Sequence, residues 1–156
     1  QEQGPHQQAA GAGNCVRVLY TDRTDFTESD SMEGKKLVHE ALTYEVRGAL
    51  MDVYNALGPG FREETYKQAV VAELKRRNIP VERERAIPVV YKGDVVDTYR
   101  LNILVDGKVI LELKAVEEFH PRHRAQMLSY LKVSGLRLGL LVNFGTNKLQ
   151  IQRIVM

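Results

Sequence analysis

Between Leu37 and Leu57 the apolar residues Leu42, Val46, Ala49, Val53 and Leu57 recur at spacings of three and four, the stripe of an amphipathic helix. Gly58-Pro59-Gly60 stops it. A second helix is predicted from about Arg62 to Arg77, with Tyr66, Ala69, Val70 and Leu74 facing a core. Glu63 and Glu64 lie in its first turn and Lys75, Arg76 and Arg77 in its last, which complements the helix dipole. Asn78 and Pro80 end it. Strands are then expected at about Val81–Tyr91, Val95–Val105 and Val109–Val116, turning at Lys92-Gly93 and Asp106-Gly107. Pro121 suits the first turn of a third helix and Gly135 its C-terminal cap. Leu136–Asn143 reads as a buried strand, and Leu149–Val155 as a more exposed last one.

The Asp106-Gly107 turn fixes which residues share a face. A two-residue loop would mix polar and apolar groups on both faces of the hairpin. A three-residue loop of Asp106, Gly107 and Lys108 pairs Val105 with Val109, Ile103 with Leu111, and Leu101 with Leu113, a wholly apolar face. The other face then carries Leu104 with Ile110, Asn102 with Glu112, and Arg100 with Lys114. The like-charged Arg100–Lys114 pair is unfavourable unless an anion lies near it. A three-strand antiparallel meander, a crossover helix and a parallel strand predict an α/β fold, a mixed central sheet of four or more strands flanked by helices.

Composition agrees with one globular domain: 156 residues, 44% hydrophobic and 27% charged. Residues 1–31 differ, with Gln-, Gly- and Ala-rich stretches and little periodicity; only Val16, Val18, Leu19 and Tyr20 look buriable, as one short strand. They are read as a tail, leader or disordered segment before a domain spanning 32–156, with Met32 a natural start. Those 31 residues hold five acids and two bases, so the whole-chain charge of +2 leaves +5 on the domain. The whole-chain charge of +2 is too weak to assert a nucleic-acid partner by itself. The single Cys15 excludes an internal disulfide and a cysteine zinc cluster, which makes a reducing, cytoplasmic setting the expectation. No apolar run approaches a membrane span, so no membrane partner is expected.

Chemistry concentrates in Glu112-Leu113-Lys114, inside an otherwise apolar strand. Residues two apart in a strand point the same way. From spacing alone two readings stay open: a strand end emerging into solvent, or a hard-metal site with a lysine that orients water and balances phosphate charge. His120 and His123 stand three apart near a helix start, without a third His or a carboxylate at matching spacing; they read as a cap and a surface residue rather than a metal pair. Arg122, His123 and Arg124 fit either a phosphate-facing helix start or solvated surface. Arg83 and Arg85 alternate with Glu82 and Glu84, the pattern of a solvated strand. No Ser-His-Asp, Cys-His or Walker arrangement is present.

Glu112-x-Lys114 in a hairpin, after helix, strand and strand, resembles the PD-(D/E)XK nuclease superfamily. Gly60, Glu63 and Tyr66 in the run from Gly60 to Tyr66 are similar to the naming motif of its GxxExxY branch. Residues 109–116 look like that branch's active-site strand, and Gln126-x-x-x-Tyr130 resembles the helix motif of RecB-like members. The resemblance implies a restriction-endonuclease-like core and Mg2+- or Mn2+-dependent phosphodiester hydrolysis of nucleic acid, DNA above all. It places Glu63, Asn102, Glu112 and the Leu113 carbonyl around the metal, with Lys114 as the catalytic lysine. Gln126 and Tyr130 would support the site or hold substrate, as would Arg100 and Tyr66.

One position departs from the pattern: Asn102 stands where an Asp is expected. Asp97 has the wrong strand parity to replace it, and Asp94 and Asp106 fall in turns. The resemblance therefore implies a nuclease weakened at its metal site, a non-catalytic nucleic-acid-binding module on the same fold, or a member that tolerates Asn at this position. A protein-interaction role is the third expectation, with the strand around 149–155 pairing with a second copy as a homodimer.

Overall fold

The structure, a computed structural model, describes residues 18–19 and 37–156. In chain order the elements are β1 (Val18–Leu19), α1 (Glu40–Leu57), α2 (Glu63–Arg76), β2 (Val81–Tyr91), β3 (Asp94–Val105), β4 (Val109–Lys114), α3 (Pro121–Ser134), β5 (Leu138–Asn143) and β6 (Gln150–Val155). Six strands form one sheet in the order β1-β6-β5-β4-β3-β2, antiparallel throughout except for the parallel β4–β5 pair. The expected meander, crossover helix and parallel strand are all present. The tail assignment otherwise falls outside the described residues. β1 pairs with β6 at Val18–Ile154 and Leu19–Arg153, on the side of β6 where pairing with a second copy was expected. Among the described residues no helix is long and apolar enough to cross a membrane.

The two faces of the sheet are covered differently. Val46, Ala49, Leu50 and Val53 of α1 and Tyr66, Val70 and Leu74 of α2 pack on Ile103, Val105, Leu111, Leu113, Leu140 and Val142. Met127, Tyr130 and Leu131 of α3 pack on Leu101, Leu104, Ile110, Leu141 and Ile154. The α1 helix starts three residues later than its apolar pattern suggests, because His39 takes a left-handed backbone (φ 54°). At the far end of the pair, Arg77 bridges Glu73, Asp52 and Glu45 and so ties α2 to α1.

The turn between β3 and β4 has the expected three residues. Val105 pairs with Val109, Leu104 with Ile110 and Ile103 with Leu111. Asp106 and Gly107 both have positive φ, and the Lys108 N–H closes the turn on the Val105 carbonyl at 2.9 Å. Beyond Ile103 the expected register fails. Leu101 packs with Leu104 and Ile110 under α3, whereas Leu113 packs under α1 and α2, so the two do not share a face. The β3–β4 ladder ends at Ile103–Leu111, and Arg100, which is exposed and lies opposite Ala86 of β2, is not paired with Lys114. The physical cause lies at Asn102, whose side-chain oxygen takes the Leu113 N–H at 3.3 Å where a backbone carbonyl would continue the ladder. At the same level β2 is bent at Glu84, a non-glycine strand residue with φ 52°.

Lys114, predicted two residues before the strand end, is the last residue of β4. The chain after it is clipped to β5. The Asn143 side chain accepts the Val116 N–H (3.1 Å) and the Gly145 N–H (2.9 Å) and donates to the Val116 carbonyl (2.9 Å). A Cβ on Gly145 would lie 2.4 Å from both the nitrogen and the oxygen of Val116, where only backbone could give way. Gly145→Ala is therefore expected to cost about 1–3 kcal/mol, the range for overpacking, and to lower the melting temperature by several degrees in a thermal melt. An unchanged melt would show that the clip is not tight.

Candidate functional site

Glu112 and Lys114 occupy the C-terminal half of β4, in the middle of the sheet, beyond the point where the β3–β4 ladder ends. The Glu112 side chain is only 5% exposed and that of Lys114 16%, and their Oε1 and Nζ atoms are 3.2 Å apart. The other carboxylate oxygen, Oε2, is buried with no hydrogen-bond partner. Burial pushes the Glu112 carboxyl above its ordinary range; Lys114 offsets part of this, and the negative charge of Glu63 adds to it. A buried, half-satisfied carboxylate costs folding free energy. Of the two readings left open by spacing alone, emergence into solvent does not describe Glu112.

Asn102 is 8% exposed and reaches the β4 backbone one residue beyond Glu112. The N–H and C=O of one strand residue point to the same side, so the Leu113 carbonyl also faces β3. Glu63 opens α2, and its charge is felt at Glu112. The spacing of Gly60, Glu63 and Tyr66 has a local reason. Gly60 takes φ 108° in the loop entering α2. The Tyr66 hydroxyl donates to the Gly58 carbonyl at 2.5 Å and accepts the Phe61 N–H at 3.1 Å. Its ring, fully buried, stacks on Phe144 with centroids 4.5 Å apart. Tyr66 thus anchors the loop that sets where Glu63 begins the helix.

The third wall is α3. Gln126 donates to the Tyr130 hydroxyl at 2.9 Å, the contact their four-residue spacing suggests. Tyr130 meets the Tyr99 ring edge-on at 5.5 Å. Burial, followed by the charge of Glu112, pushes its hydroxyl up to about 12, so it stays a neutral donor. Arg100 is exposed on β3 outside this group. The N-terminus of α3 is capped as expected: His120 accepts the Arg122 N–H, and His123 accepts the His120 N–H, both at 3.1 Å. His123 is not a surface residue, however; it is buried, because its ring folds back under the cap.

Three groups are placed by the structure where the sequence reading did not put them. Lys67 is buried on α2 and binds Glu84 at 3.0 Å and Glu64 at 3.5 Å. Burial alone would lower the Lys67 pKa, but the bond to Glu84 and the surrounding carboxylates outweigh it and raise it. Its position four residues after Glu63, one turn along the same helix face, was a usable signal. Glu84 is the second; nothing in Arg83-Glu84-Arg85 announces the backbone turn that aims it at α2. Buried His123 is the third, and its spacing of three from Gln126 and seven from Tyr130 placed it on their face. Among the described residues, no three His, Cys, Asp or Glu side chains gather as a ready metal cage. The unpaired Glu112 oxygen is nevertheless an oxygen donor of the kind a hard dication takes.

Sheet and site together define an α/β domain whose central hairpin strand presents a buried Glu and a Lys two residues apart. The family model of the PD-(D/E)XK nuclease superfamily matches residues 40–154, and the chain belongs to that superfamily. Membership makes this a nuclease-type domain and implies a nucleic-acid substrate. No curated protein and no solved structure matches the chain.

Proposed function

We propose that this chain hydrolyses phosphodiester bonds of nucleic acid, DNA in the first instance, with a divalent cation held beside Glu112. The observation that carries the reading is the buried Glu112 carboxylate, bound to Lys114 through one oxygen and unpaired at the other. In this reading Glu112 is the principal ligand, with Glu63, the Asn102 amide oxygen and the Leu113 carbonyl completing the set. A bound Mg2+ or Mn2+ supplies charge to offset the phosphate and acidifies a coordinated water. Lys114 orients the attacking water and balances phosphate charge. Tyr130, kept protonated and supported by Gln126, donates to the substrate side of the site, while Tyr66 supports Glu63 through its loop. The spacing of Gly60, Glu63 and Tyr66 supports placing the chain in the GxxExxY branch of the superfamily.

A second reading has its own support. The Asn102 oxygen is already engaged by the Leu113 N–H, and it brings no charge to the site. On that basis the domain binds nucleic acid without cleaving it, with a steep salt dependence and no metal requirement. Plasmid and oligonucleotide cleavage with Mg2+ or Mn2+ separates the two. The first reading expects cleavage by the native chain or by Asn102→Asp, lost in Glu112→Ala. No cleavage by either active form under any metal, alongside salt-sensitive binding, would leave the second.

A further inference from the structure

β2 and β3 run past the rest of the sheet. β4 pairs with β3 only from Ile103 to Val105, yet β2 and β3 stay paired out to Tyr91–Asp94. From Ala86–Arg100 outward they form an arm with no third strand beside it, β2 being the sheet edge. Residues 86–91 make the arm roughly 20 Å long at ~3.3 Å per residue. Of the seven large apolar side chains exposed among the described residues, four stand at its tip: Val90, Tyr91, Val95 and Val96, each more than half exposed. A clustered apolar patch on a surface marks a contact site. Lys92, Asp94 and Asp97 give the tip a net negative charge, the wrong sign for a phosphate backbone.

The base of the arm has the complementary character. A groove of about 360 Å3 lies there between β2 and the C-terminal end of α3, lined by Ile87, Pro88, Leu104, Val133 and Leu136, with Arg85 at its side. Arg85 also holds Glu82 at 3.2 Å, and Lys132 stands exposed next to Val133 in the last turn of α3. Ile87, Val89 and Tyr91 alternate onto one face of β2, and Ile87 packs into the cluster under α3, so Tyr91 projects on the groove's side of the arm. A paired hairpin cannot fold its tip back onto its own base, about 13 Å away between positions 87 and 91. Tip and groove can therefore meet only between copies. We propose that the arm docks on a second copy of this chain, the two arms antiparallel and each tip seated in the other's groove. A twofold axis makes that contact twice, and it brings Asp94 and Asp97 to Arg85 and Lys132 of the partner subunit. The surface is distinct from β6, whose outer side β1 occupies, and the pairing does not depend on the reaction proposed above.

The test is sedimentation equilibrium of the native and Tyr91→Asp chains at micromolar concentrations, with a thermal melt of each. The native chain is expected to dimerise. Tyr91→Asp, altered at an exposed position, is expected to melt like it and to dimerise at least about tenfold more weakly, the loss of an aromatic anchor. Crosslinking then locates the contact, in a Cys15→Ser background. Asp94→Cys and Lys132→Cys copies are expected to be joined by a short bismaleimide when mixed and not when either is alone. A native chain that stays monomeric, or a Tyr91→Asp chain that dimerises undiminished, would overturn the proposal. So would Asp94→Cys copies that crosslink only to one another. A monomeric chain whose oligonucleotide binding falls in Tyr91→Asp would assign the tip to substrate instead.

Discussion

Asn102→Asp is expected to make the stability of this domain depend on a divalent cation. Position 102 is 8% exposed and sits against the β4 backbone one residue from Glu112. An aspartate there keeps the acceptor for the Leu113 N–H but adds a second carboxylate to a pocket where burial already raises Glu112. Two unit charges ~4 Å apart at an effective dielectric of ~20 interact by about 4 kcal/mol, which sets the scale. Lys114 and Lys67 screen part of it, so a loss of about 1–3 kcal/mol without metal is expected, within the range for an uncompensated buried polar group.

The sign with pH follows. Both acids would have folded pKa values above their unfolded ones, so the missing stability returns on acidification through the raised values. A dication reverses the repulsion. If the added charge yields ~3 kcal/mol of binding after dehydration, affinity rises about a hundredfold, and saturating Mn2+ restores the melt by mass action. Thermal melts of native and Asn102→Asp chains, in EDTA and in millimolar Mn2+, read this directly. Identical melts of the variant in both buffers would mean that position 102 faces no cation site.

Glu112→Gln is expected to trade activity for stability. The native carboxylate has one oxygen on Lys114 and one unpaired in a 5% exposed side chain. Because its folded pKa is raised, chiefly by burial, the group favours the fold fully only below the ordinary carboxylate value near ~4.3. That contribution is lost as pH rises through the higher folded value. At neutral pH the ionised form therefore opposes folding. Glutamine has nearly the same shape and no charge, so the variant should gain about 1 kcal/mol at pH 7, or about 2–4 °C in melting temperature. The gain should shrink toward pH 4, where native Glu112 is itself protonated. Cleavage should fall at least a hundredfold, the loss of an ion's principal anionic ligand being worth several kcal/mol in the transition state. A variant that melts below the native chain at pH 7, or that still cleaves, would contradict the strained-carboxylate account. The result would match the general finding that functional sites hold groups the fold would be steadier without.

Much of this was legible along the chain because the signals are local. The stripe Val46, Ala49 and Val53 and the run Tyr66, Val70 and Leu74 mark helical faces, and all six are buried where they should be. Parity around Asp106-Gly107-Lys108 dictated the pairing of Val105, Leu104 and Ile103, since a two-residue loop would mix polar and apolar groups on both faces. Pro121 and Gly135 punctuate α3 as expected. The Glu112–Lys114 pair stood out because two charges in an apolar strand need a reason.

What the chain could not announce depends on contacts between distant segments. The parity of β3 breaks at Asn102 because a side-chain amide replaces a backbone carbonyl opposite Leu113, and no propensity reports such an exchange. Glu84 adopts a left-handed backbone inside a strand, and its carboxylate meets Lys67, 17 residues earlier on another element. His123 is buried where its own cap folds the ring back on the start of α3, with the Phe119 ring edge-on against it. The charge state of Glu112 belongs to the same class. Its sequence neighbours put Lys114 beside it, but the burial that raises its pKa and the field of Glu63 come from helices that the fold brings to the two faces of the sheet. Periodicity places side chains on faces; only packing sets the dielectric and the charges those faces meet.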